Sequence, residues 1–194
     1  MPSRSARALV LEAWRRAAAM GLVESDATRL DDDDVRRLVN RIREVGIARG
    51  PALHLDNVEA PSVAEAEALL HVVVAALEAS PVAKYEWPAV SRVLEPEALA
   101  SLLNISVSSL RRYLSGERET PDEVAARLHH LALVVGDLAG AYNDVGVRRW
   151  FERPRTALGG SRPSALLTGD WAPEDPGPTR VRDLARSLVA FSAT

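Results

Sequence analysis

The side chains best spaced to do chemistry are Ser106, Ser108, Ser109, Arg111 and Arg112, and the chemistry they suit is recognition. They follow a short apolar segment, Pro96 to Leu103, and a tight turn at Asn104 and Ile105. Ser106 is a natural N-cap, its hydroxyl free to accept a backbone N–H of the next turn. Ser108, Ser109, Arg111 and Arg112 then fall on the outer face of the helix it opens. A helix-turn-helix lays that face in the major groove of DNA. Arginines there reach guanine edges or phosphates, and serines reach bases or backbone. Ala100 is small where two helices must cross closely, and Leu103, Ile105 and Leu110 are apolar where such a motif buries its seam. The local charge is unhelpful: from Val90 to His130 five arginines stand against six carboxylates, and non-specific affinity for nucleic acid comes mostly from cations. The alternative is a helix-turn-helix kept as scaffold, its arginines merely solvated.

Covalent and metal chemistry find little to work with. The chain has no cysteine, which removes thiol nucleophiles, disulfides and thiolate metal sites. His54, His71, His129 and His130 lack metal-ligand spacing. Adjacent residues on a helix diverge by about 100°, so His129 and His130 cannot grip one ion from one face. His71 lies near an apolar stripe and reads as a partly buried, hydrogen-bonded side chain. The run Asp31 to Asp34 reads as acidic residues placed at a helix N-terminus, where the dipole favours them, rather than as a cation site. G-x-G-x-x-G and G-x-S-x-G are both absent. The expectation is a protein that is not an enzyme, with no catalytic residues, no metal and no cofactor.

The elements that must position these residues read as helices throughout. Alanine and leucine dominate, and β-branched runs are short. The 194 residues suffice for one or two domains, and the net charge of −3 means that any nucleic-acid contact is local. The absence of cysteine fits a reducing cytoplasm. No apolar run approaches a membrane span, and the N-terminal stretch regains charge too soon for a secretory signal. Apolar spacing predicts helices over 4–20 and from the aspartate run to Val45. Ala52 to Val58 reads as a short strand or an extended loop. Ser62 and Glu65 form a capping box for a helix to Ala79, with Val63, Ala66, Leu70, Val73, Val74 and Leu77 inward. Pro81 to Pro88 reads as a linker. Thr120 to Glu123 forms a second capping box, opening the longest helix, to about Tyr142. Its wide apolar stripe is a candidate dimer surface. Asn143-Asp144 caps a short helix bearing Trp150 and Phe151, which pin it as core anchors and which Pro154 ends. A turn at 157–160, a helical turn at 163–167, a loop at 171–178 and a last helix capped by Thr179 complete the chain. The fold class predicted is all-α, divided as 1–80, 88–142 and 143–194.

One stretch resembles a known family. Trp150 and Pro154, Ala157-Leu158-Gly159-Gly160, and Pro163 with Leu166-Leu167 resemble the W-x-x-x-P, A-L-G-G and P-x-x-L-L signature of Xre/MbcA/ParS antitoxins. A helix-turn-helix and a long helix precede the signature in that family, as they do here, and the resemblance covers Val90 to Val189. It implies an antitoxin that binds and neutralises a RES-type, NAD-depleting toxin. It also implies a homodimer that binds promoter DNA and represses its own operon. Its toxin-binding residues would be Trp150, Arg153, Arg155, Leu158, Gly159, Gly160, Leu166 and Leu167. Arginines thicken toward the C-terminus (Arg148, Arg149, Arg153, Arg155, Arg162, Arg180, Arg182, Arg186), and their ordinary reading is a solvated helix face. Residues 1–80 lie outside the resemblance. A stand-alone helix-turn-helix regulator and an interaction adaptor are the other readings.

Overall fold

The computed structural model describes residues 4–24, 31–48 and 62–192. Nine α-helices and two short 3-10 turns make up the regular structure of the described residues, with no strand among them. The fold is all-α. No single helix among the described residues is long and apolar enough to cross a membrane. The stretch read as a strand or loop, Ala52 to Val58, lies outside the described residues. The chain divides into two compact units, Met1–Val82 and Ala83–Thr194.

The first unit holds α1 (Arg4–Ala19), α2 (Asp32–Glu44) and α3 (Val63–Ala79). Ala6 and Leu9 of α1 pack with Leu70 of α3. Arg16 is buried among apolar neighbours, and its Nε donates to Glu78 Oε1 at 2.8 Å, tying the same two helices. The aspartate run has a local use. Asp31 Oδ1 accepts the Asp34 N–H at 2.8 Å, and Asp34 Oδ2 accepts the Asp31 N–H at 3.0 Å, a reciprocal cap built from two carboxylates. The Asp31 backbone N–H, followed by Arg37, holds the Asp34 carboxyl below its ordinary value. Ser62 and Glu65 form the expected capping box. Two expectations fail on α3: His71 and Val63 are both exposed. His71 lies off the arc that faces α1, which centres on Leu70, Val73 and Leu77, whereas Val63 shares the face of Leu70 but is the first residue of the helix.

The second unit contains α4 (Ala83–Val93), α5 (Pro96–Leu102), α6 (Val107–Leu114), α7 (Asp122–Ala139), α8 (Asp144–Glu152) and α9 (Pro176–Ser192). The segment read as a linker is the helix α4, with Pro88 inside it. Proline there withholds an N–H from the carbonyl four residues back. Packing outweighs that loss: Pro88 faces out, while Glu86, Trp87 and Val90 are buried. The Trp87 indole donates to Thr120 Oγ1 at 2.9 Å. Thr120 is therefore not the cap of the long helix. Pro121 stands at the N-cap, without a side-chain bond, and α7 stops at Ala139.

One core runs from Trp87 to Ala185, so the segments read as 88–142 and 143–194 share it. Every residue from Arg127 to Val135 is buried. Helices α4, α8 and α9 pack against α7. Its apolar stripe is spent inside the unit and is not free as a dimer surface. The last helix begins at Pro176, not at Thr179, because proline at the first helical position needs no N–H partner.

Candidate functional site

Helices α5 and α6 meet through a turn in which the carbonyls from Ala100 to Leu103 all have partners. Asn104 takes a left-handed φ of 54°, which asparagine tolerates better than most residues. Asn104 N then donates to Ser101 O at 3.1 Å and Ile105 N to Ala100 O at 3.0 Å, the paired bonds of a Schellman cap. The next two carbonyls are taken from farther away. Trp171 Nε1 donates to Leu102 O at 2.9 Å and Arg127 Nη1 to Leu103 O at 3.3 Å. Leu99, Ala100, Leu103, Leu110 and Tyr113 face the core. Tyr113 stacks on Trp87 at 5.9 Å between ring centroids, and Arg118 lies over the Tyr113 ring at 5.5 Å.

Ser106 caps α6 as its type predicts, its Oγ accepting the Ser109 N–H at 3.0 Å. The Ser106 and Ser109 hydroxyls also bond each other at 3.0 Å, and Ser109 is half-buried. Ser108, Arg111 and Arg112 are exposed, with Arg112 Nε 3.2 Å from Glu117 Oε1. The outward face thus presents Ser108 and Arg111 openly and Arg112 beside a carboxylate. Arg127 is buried, so four arginines rather than five remain for phosphates between Val90 and His130, and all six carboxylates there are exposed.

The signature residues form a second surface. Asn143 caps α8, accepting the Gly146 N–H at 2.9 Å. Trp150 and Phe151 sit edge to face in the core, 5.4 Å apart. The chain then closes on itself: Arg155 N donates to Ser161 O at 3.0 Å, and Gly160 N donates to Arg155 O at 2.9 Å. Gly159 and Gly160 take left-handed φ of 67° and 82°, which is what closing so tightly requires. A Cβ on either would meet no atom within 4 Å, so the glycines serve the backbone angle and leave the outside bare.

The eight residues assigned to toxin contact divide by burial. Trp150, Leu158 and Leu167 are inside, so they shape the surface and cannot touch a partner in this conformation. Arg153, Gly159 and Gly160 are exposed, and Arg155 and Leu166 are half-buried. The Arg155 guanidinium covers the Trp150 ring at 5.2 Å. Exposed Arg180 reaches Ala157 O at 3.4 Å. Sequence reasoning made the C-terminal arginines a solvated face, but Arg182 is buried, its Nε donating to Asp137 Oδ2 at 2.7 Å.

Three buried polar groups on α7 went unread as functional parts. Arg127 donates through Nε to Trp171 O at 2.7 Å, through Nη1 to Leu103 O, and through Nη2 to the Asp170 carboxylate. His129 Nδ1 lies 2.6 Å from Glu86 Oε1. His130 meets the Trp171 ring edge-on at 5.3 Å, and its Nε2 is buried without a partner. Burial first, then the positive charge of Arg182, pushes the His130 imidazole down to about 3. The two histidines thus point to different neighbours, as adjacent helical residues must. The available signal was position: Arg127 lies three residues after Val124 and four before Leu131, on the apolar face. Comparison with family models, with curated proteins and with solved structures finds no match.

Proposed function

We propose that the chain is an antitoxin, acting in the cytoplasm by occupying surfaces rather than by turning over substrate. Its C-terminal module binds and neutralises a RES-type toxin, and its α5–α6 turn brings it to the promoter of its own operon. The observation that carries the reading is the behaviour of the signature residues. Trp150, Leu158 and Leu167 anchor one closed turn from inside, while Arg153, Gly159 and Gly160 stand outside it. That division suits a rigid docking surface, since the bare backbone it presents is already closed by its own hydrogen bonds and has little entropy left to lose. The two surfaces share one core, which supports a single molecule with two recognition tasks. A homodimer of this protein forms on a surface other than α7.

Co-expression tests the reading. A RES-type protein encoded beside this gene arrests growth alone, and the intact chain relieves the arrest. Replacing Arg153 and Arg155 by glutamate abolishes relief while the far-ultraviolet spectrum stays helical. Arrest that the intact chain leaves unrelieved overturns the antitoxin reading. Promoter binding that persists without relief favours the stand-alone regulator.

A further inference from the structure

The turn that aims α6 is not self-contained. An α-helix ends with carbonyls that no intrahelical N–H can reach, and they must find partners elsewhere. The Schellman bonds serve Ala100 and Ser101. Leu102 and Leu103 are served by Trp171 and Arg127. Arg127 in turn bonds the Trp171 carbonyl and the Asp170 carboxylate, and its guanidinium lies over the Trp171 ring at 5.9 Å. Residues 170 and 171 belong to the segment between the signature turn and α9. The C-terminal module therefore supplies part of the cap of α5, immediately before the residues that open α6.

We propose that Arg127, Asp170 and Trp171 are positioning residues that clasp the α5–α6 turn to the C-terminal module, so that a protein docked on that module alters the pose and DNA affinity of α6. The proposal rests on the antitoxin reading for its partner and on the hydrogen bonds above for its mechanism. A group that binds one pose of the clasp better than another shifts the turn with it. Linkage makes the effect mutual: DNA on α6 changes affinity for the docked protein by the same factor.

Two measurements on the full chain test this. The first needs no partner. Trp171→Phe keeps a ring but loses the N–H that serves Leu102. Asp170→Ala removes a carboxylate that is 89% exposed, so it leaves no buried void. Val147→Ala, a core change in α8 away from the clasp, is the control for general destabilisation. Amide hydrogen exchange over residues 103–110 rises at least about fivefold in both clasp variants, with α7 unchanged. Unchanged exchange there, or a rise spread over the unit as in Val147→Ala, overturns the clasp. If Trp171→Phe does not fold, Asp170→Ala decides.

The second measurement titrates the upstream promoter duplex with and without saturating RES-type protein. The parent's DNA affinity shifts by at least about threefold, and the shift collapses toward none in Trp171→Phe. A shift of the same size in the variant overturns the coupling. A parent chain that binds neither partner overturns the proposed function instead, and the exchange result still stands on its own.

Discussion

His130 makes the stability of the second unit depend on pH in a way one substitution should erase. Its imidazole is pressed between α7 and α9, with Trp171 at its edge, and Arg182, His129 and Arg186 all disfavour a further positive charge. The folded value is pushed down to about 3 from an ordinary 6.5. The unfolded chain therefore binds a proton that the native chain refuses across that window, and stability falls as pH drops from the ordinary value toward the folded one. At about pH 7 the unfolded imidazole is roughly a quarter charged, and by about pH 5 it is almost fully charged, which amounts to roughly 2 kcal/mol of stability lost between the two. Other groups of the chain also exchange protons over this range, so the quantity to measure is a difference. Urea unfolding of the parent and of His130→Phe, followed by helical ellipticity at a series of pH values, gives two profiles. The parent should lose about 2 kcal/mol more than the variant over that interval. Parallel profiles would refute the reasoning, as would an imidazole resonance of native His130 titrating near its ordinary value.

Two further predictions concern the turn at Gly159 and the buried Asp137–Arg182 pair. Gly159→Ala should cost about 1–2 kcal/mol in urea unfolding, from the left-handed angle alone, and Gly159→Asn distinctly less, because no atom waits within 4 Å to be struck. Toxin binding lost in the folded Asn variant identifies bare backbone as the contact; a cost for Ala above about 3 kcal/mol would mean that the turn is crowded after all. Separating Asp137 from Arg182 should be severe: Asp137→Leu or Arg182→Met alone costs about 3–5 kcal/mol by leaving a charge buried, whereas the double replacement recovers most of it. Additive losses in that cycle would show that the pair is not coupled.

Much of the helical plan was legible because its signals are local. Ser62, Ser106 and Asn143 each cap the helix that follows them, and each bond spans three residues. What escaped was decided by partners far along the chain. Helix α4 exists despite Pro88 because Trp87 and Glu86 find a core supplied by α7, and Thr120 gives its hydroxyl to Trp87 rather than to a helix N-terminus. Arg127 looks like a candidate phosphate ligand in sequence, since the carbonyls that claim it lie 24 and 44 positions away. Helical period marks an inward face but not which faces are inward when a helix is surrounded, so α7 offered a dimer stripe that its own unit had already covered. Of the surface residues, the outward positions of Ser108, Arg111 and Arg153 followed from pattern. The division of the signature between anchors and exposed groups did not.

The bond from Trp171 to Leu102 joins positions 69 apart in the chain, which gives it a meaning in time as well as space. On the ribosome α5 and α6 emerge and coil early, as local contacts do, while the residues that finish their joint are still to be translated. The nascent protein therefore holds both helices before it holds them at their final angle. The joint is locked only once Asp170 and Trp171 have been translated.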